Sequence, residues 1–107
     1  MNINMYQTLA ARTINPAISQ IQTLLHALHG MSAEVGEIHS IYQKSYQGHE
    51  VDDDDLKAEL GDLLWFCAEY CTAQGWDMEQ VCIQNIEKLR KRFPKGFDPE
   101  RSLHREE

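Results

Sequence analysis

Two pairs of acids in this chain, Glu34-Val-Gly-Glu37 and Glu59-Leu-Gly-Asp62, are spaced so that both members fall on one side of a helix. A helix advances about 100° per residue, so residues three apart lie within about 60° of each other. Four carboxylates gathered together form a hard oxygen ligand set that suits Mg²⁺ or Mn²⁺. Without a cation, such a set repels itself. Like charges one turn apart weaken a helix by a few tenths of a kcal/mol, and crowding two pairs at the edge of a core costs more. Asn85, Lys88 and Arg92 line one edge of a later helical segment and supply donors and positive charge of the kind that grips phosphate oxygens. Each motif alone reads as ordinary helix surface. Together they point to a metal and a phosphorylated ligand. No glycine-rich phosphate loop is present, so metals and side chains would hold the phosphates. His39 stands two residues from Glu37, which breaks the Glu-x-x-His spacing of di-iron bundles.

The segments that position these groups read as helices. A short one is predicted over residues 5–12. Asn15-Pro16 reads as N-cap and first helical residue of a second helix, which runs to about residue 47 on Ile18, Ile21, Leu24, Leu25, Leu28, Met31, Val35, Ile38, Ile41 and Tyr42. Gly30 and Gly36 lie inside it at about 1 kcal/mol each relative to Ala, which suggests close backbone approach. The aspartates at 52–55 favour the positive end of a third helix. An EF-hand fails there, because Leu56 takes a ligand position and the required glycine is missing. The third helix carries Leu56, Leu60, Leu63, Leu64, Cys67, Tyr70 and Cys71 and stops at Gly75. Asp77-Met-Glu-Gln80 reads as a capping box opening the last helix, with Met78, Val81, Cys82, Ile86, Leu89 and Phe93 on one side and Pro94 and Gly96 as its stop. A polar tail follows, from about residue 98 to 107. On all three long helices the polar groups border the apolar stripe. Phe66 shares the edge of Glu59 and Asp62 and is the aromatic candidate for stacking on a base, although core packing is the simpler role for it, Trp65 and Tyr70.

At 107 residues, one domain spanning 1–107 is expected, with a core thin enough that self-association would help it. Seventeen acids against ten bases give a net charge of −7, which argues against a nucleic-acid surface. No apolar run approaches the ~18 residues of a membrane span, and the N-terminus lacks signal-peptide character. Three cysteines, an odd count, fit a reducing cytoplasm, with Cys67 and Cys71 as small core residues. The expected fold is all-α: an antiparallel bundle of about four helices, assembled as a homo-oligomer.

Three stretches carry a family resemblance: Gly30-Met-Ser-Ala-Glu34-Val-Gly-Glu37, Glu59-Leu-Gly-Asp-Leu-Leu-Trp65, and Asn85-Ile-Glu-Lys-Leu-Arg-Lys-Arg-Phe-Pro94 with Gly96-Phe97. In this order, with 21 residues between the acid pairs, they resemble a MazG-type nucleotide pyrophosphohydrolase. The tail from Glu100 resembles the end of compact members. The resemblance implies an all-α fold related to dimeric dUTPases, and Mg²⁺-dependent cleavage of a nucleoside triphosphate to monophosphate and pyrophosphate. It implies Glu34, Glu37, Glu59 and Asp62 as metal ligands, with Glu34 or Glu37 acting on the attacking water. Asn85, Lys88 and Arg92 would bind phosphates, in a homodimer or homotetramer with sites near subunit interfaces. Two departures stand out: Ala33 where many members carry Glu, and His104 where Asn is common. The alternative is a catalytically silent helical metal-binding or interaction module of the same fold. The presence of all four acids favours the enzyme.

Overall fold

The ends of the helices are set by side chains that satisfy orphan backbone donors. In a computed structural model, which describes residues 1–104, Asn2 caps α1 (Ile3–Ala11) by accepting from the Met5 N–H. The last three positions of the tail, 105–107, lie outside the described residues. α2 (Gln20–Ser45) begins later than Asn15-Pro16 implies. Asn15 instead accepts from the Ala17 N–H in a local turn. Ser19 and Gln22 form a reciprocal capping box, with Gln22 N–H donating to Ser19 Oγ at 3.1 Å and Ser19 N–H to Gln22 Oε1 at 2.9 Å. Two donors satisfied at Ser19 outweigh the one that Asn15 offers.

Asp52 caps α3 (Asp53–Gln74), Asp53, Asp54 and Asp55 fill its first turn, and Gly75 ends it at φ 73°, a left-handed conformation suited to glycine. Asp77 caps α4 (Met78–Arg92) by accepting from the Glu79 N–H. Within the tail, α5 (Pro99–Leu103) docks on the end of α4: Arg101 donates to the carbonyls of Lys91, at 3.0 Å, and Arg92. The described residues contain five helices and no strand.

α2 and α3 form an antiparallel hairpin whose seam can be followed residue by residue. Gln20 Nε2 donates to Ala73 O at 2.7 Å. Next, His26 meets Glu69, the Phe66 ring lies over Gly30, and Glu34 faces Glu59. Thr23 and Ala27 are buried along the same line. This seam is small and polar, and half of the bulky α2 stripe expected to form the core is exposed. Ile21, Leu25, Leu28, Val35 and Tyr42 of α2 are exposed, as are Leu60 and Leu64 of α3. α1 crosses α3 through a small cluster of Ala10, Ala68, Cys71 and Met78, flanked by Ile3, Tyr6, Trp65 and Cys67. Gln7 ties α1 to the α3–α4 turn, donating to Trp76 O at 2.9 Å and accepting from the Met78 N–H at 2.8 Å.

The expected four-helix closure does not occur within one chain. Only Met78 of α4 is buried, and every residue from 80 to 91 is exposed. The accessible surface is 8207 Å², whereas a monomer of 12.4 kDa exposes roughly 6,100 Å². The radius of gyration is 17.2 Å against about 13 Å for a compact chain of this length. Among the described residues the largest fully buried side chain is a glutamate, Glu69.

Of the two glycines inside α2, only Gly30 is explained by close approach in this chain. A Cβ there would lie 2.2 Å from the Phe66 ring, whereas one at Gly36 meets nothing within 4 Å. Gly30→Ala is therefore expected to destabilise the protein by about 1–3 kcal/mol despite the better helix propensity of Ala. Gly36→Ala should be neutral or stabilising. Urea unfolding of the two variants checks the contrast.

Candidate metal centre

The antiparallel pairing of α2 with α3 places Glu34 opposite the N-terminal half of α3, where Glu59 and Asp62 occupy successive turns of one face. One carboxyl oxygen from each of Glu34, Glu59 and Asp62 lies within 4.8 Å of the others. Glu34 and Glu59 are half-buried and Asp62 is exposed. Glu37, one turn further along α2, is exposed and outside this trio, yet its charge still acts on Glu34.

The trio is electrostatically frustrated. Glu34 Oε2 is shut away from solvent and has no hydrogen-bond partner of its own. The Glu59 carboxyl beside it can bond to it only by sharing a proton. That shared proton, then burial, then the charges of Glu59, Asp62 and Glu37 push the Glu34 carboxyl up to about 7 from its ordinary 4.5. Asp62 also acts on α1: burial first, then Asp62 and Cys67, push the Tyr6 phenol upward. A shielded oxygen without a partner of its own, among converging hard oxygens, fits a divalent cation. The residues present are thus chemically suited to hold one.

Asn85 and Lys88 are exposed and Arg92 is half-buried, on a helix that leans on α1 and the end of α3. The charges that act on Glu34 come from acids alone. Phe66 sits in the seam just beyond the trio, edge-on to Trp65 at 5.1 Å and tilted against His26 at 5.6 Å. A groove of about 460 Å³, lined by Trp76, Asp77, Gln80, Val81 and Gln84 among others, lies at the far end of α3 and does not include the acids.

Sequence reasoning missed two groups. Glu69 is 1% exposed and holds His26, whose Nδ1 stands 2.9 Å from both of its carboxyl oxygens. A signal for it existed: Glu59, Asp62, Phe66 and Glu69 follow one three-and-four spacing. Tyr6, near Asp62, had no comparable signal, because only the crossing of α1 over α3 brings it there.

The raised Glu34 value sets a pH dependence. Because the folded chain holds this proton more tightly than the unfolded chain, the stability it contributes is complete below about pH 4.5 and is lost as pH rises through about 7. The metal-free protein should therefore melt at a lower temperature as pH climbs across that window. Added Mg²⁺, or the substitution Glu34→Gln, should flatten the slope. Thermal unfolding profiles against pH check both.

The family model described as the MazG nucleotide pyrophosphohydrolase domain matches residues 22–97, which includes all four acids and the α4 edge. The chain is 30% identical to Gene 37 protein of Mycobacterium phage L5, over 90% of this chain and 92% of that protein. No solved structure gives a significant match. An all-helical chain whose second and third helices bring paired acids together, matched by that family over most of its length, belongs to the MazG nucleotide pyrophosphohydrolase domain family.

Proposed function

We propose that the protein hydrolyses (deoxy)nucleoside triphosphates to monophosphate and pyrophosphate with Mg²⁺, or Mn²⁺ in its place, as housecleaning or regulation of a cytoplasmic nucleotide pool. The observation that carries this reading is the Glu34–Glu59–Asp62 trio with its shielded, unpartnered oxygen. Cleavage of a phosphoanhydride needs alignment and charge neutralisation more than covalent help. The trio would bind a divalent cation, which when bound supplies positive charge to phosphate oxygens and acidity to water. Glu37 stands outside the trio and open to solvent, so it suits the proton of the attacking water better than Glu34 does. Phe66 lines the seam just past the trio, where a base can stack. No helix of the described residues is long and apolar enough to cross a membrane, and Cys67, Cys71 and Cys82 are unpaired, in keeping with a reducing compartment.

The reading includes a homodimer or homotetramer. One chain exposes roughly 2,000 Å² more than a globular monomer of its mass, which is on the scale of an obligate interface. Ile21, Leu25, Leu28, Val35 and Tyr42 recur at spacings of four, three, seven and seven, in keeping with the heptad period of a helix–helix seam. Residues 80–91 of α4 are exposed, and we assign Asn85, Lys88 and Arg92 to the phosphates bound at a partner subunit's trio.

Pyrophosphate release from a panel of canonical and modified triphosphates tests the activity. The wild-type protein should turn over at least one of them with Mg²⁺, and no release from any would refute the proposal. Glu59→Gln should stay folded and lose turnover by more than about a hundredfold, the upper end of what loss of an outer-sphere metal partner costs. Subunit mixing tests the shared site. Glu59→Gln and Lys88→Ala should each be inactive or nearly so. Their random mixture should regain roughly a quarter of wild-type activity if the two residues act across a dimer interface, and none if they act in one chain.

A further inference from the structure

The His26–Glu69 pair lies in the same seam as the acids, and the metal chemistry does not use it. Glu69 is 1% exposed, and a carboxylate so far from water requires a partner. His26 Nδ1 lies 2.9 Å from both Glu69 oxygens. This symmetric approach fits an N–H donated between two acceptor oxygens. A carboxylic O–H donating to the ring would draw the nitrogen toward one oxygen. Nδ1 is therefore committed to Glu69, the imidazole plane is held, and Nε2 is the ring atom left to meet a ligand. The His26 side chain as a whole is 54% exposed.

What it faces is informative. The His26 ring is tilted against Phe66 at 5.6 Å, and Phe66 is itself held over Gly30 and edge-on to Trp65. Trp65 is anchored in turn by donating from Nε1 to Thr13 Oγ1 at 2.8 Å. His26 precedes Glu34 by eight residues on α2, a little over two helical turns and about 12 Å of rise along the seam. That is the scale of a nucleotide laid along the seam with its phosphates at the acids.

We infer that His26, oriented by Glu69, contacts the nucleobase of the substrate beside the Phe66 ring. The inference rests on the nucleotide reading above and adds to it the residue that senses the base. Glu69 acts through His26 and is a positioning residue. A fixed imidazole edge next to an aromatic face suits a planar heterocycle with hydrogen-bonding groups on its rim.

The test uses His26→Asn. The Asn side-chain amide keeps an N–H donor at the position of Nδ1, so Glu69 stays partnered, and only Nε2 is lost. Binding is measured with Mg²⁺ and α,β-imido deoxynucleoside triphosphates of all four bases, and with imidotriphosphate, which has no nucleoside. His26→Asn should weaken binding of at least one nucleotide by about tenfold, change the order of preference among the bases, and leave imidotriphosphate within about twofold. A variant that binds all four nucleotides as wild type does, or that loses imidotriphosphate in equal proportion, overturns the inference. In wild-type protein the ¹⁵N resonance of His26 Nε2 should move on adding nucleotide and stay in place with imidotriphosphate. No movement with nucleotide also overturns it, without reliance on any variant. Wild-type protein that releases no pyrophosphate from any triphosphate overturns the function itself. Activity with an indifferent His26 overturns the base contact alone.

Discussion

The close approach of α2 and α3 is the constraint on which the rest of the structure depends. Two helices can come this near only where small side chains line the contact, and Thr23, Ala27 and Gly30 provide that line on α2. The Phe66 ring takes up the space a Cβ at Gly30 would occupy, and this sets the register of the hairpin. With the register set, His26 falls on Glu69 and Glu34 falls on Glu59 and Asp62. A slip of one turn would leave Glu69 buried without a partner and would separate the trio. The polar seam therefore specifies alignment more than it supplies stability, a role that buried ionisable groups hold in some helical pairs.

The hairpin leaves the chain with two unsatisfied demands, and they have different origins. One is hydrophobic: the leucine-rich sides of α2 and α3, and nearly all of α4, remain in water. The other is electrostatic: carboxylates converge around an oxygen that has no hydrogen-bond partner of its own. Self-association relieves the first and a divalent cation the second. On the proposed reading, both reliefs come together in the working site, where the cations of one subunit's α4 meet the acids of its partner. The thin core around Ala10, Ala68, Cys71 and Met78 then serves to brace α1 and the α3–α4 turn, with Gln7 as the tie.

Much of the local structure was legible because it rests on neighbours in sequence. Asp52 and its following aspartates, Gly75 and Asp77 mark helix ends through caps that involve only a few adjacent residues. The second helix shows the limit of that reasoning. Asn15-Pro16 is an acceptable start, but Ser19 and Gln22 satisfy one more donor, so the competition was decided by a difference of one hydrogen bond. The apolar stripe was read as a periodic face, and on α2 it divides: Leu24, Met31, Ile38 and Ile41 are half-buried, whereas Ile21, Leu25, Leu28, Val35 and Tyr42 are exposed. Periodicity reports that a surface seeks burial. It does not report against what.

The sequence by itself determined the all-α class, the pairing of acids on two helices, and their membership of one family, because spacing on a helix converts directly into a shared face. Only the tertiary structure decided which acids converge. Glu34, Glu59 and Asp62 meet, and Glu37 stands one turn aside, because the Gly30–Phe66 contact sets the helix register. It also decided that Glu69 is buried and that His26 is its partner, 43 residues away in the chain. Such pairings depend on the distance between two helices and on their mutual rotation, and neither quantity is encoded in the periodicity of either helix alone.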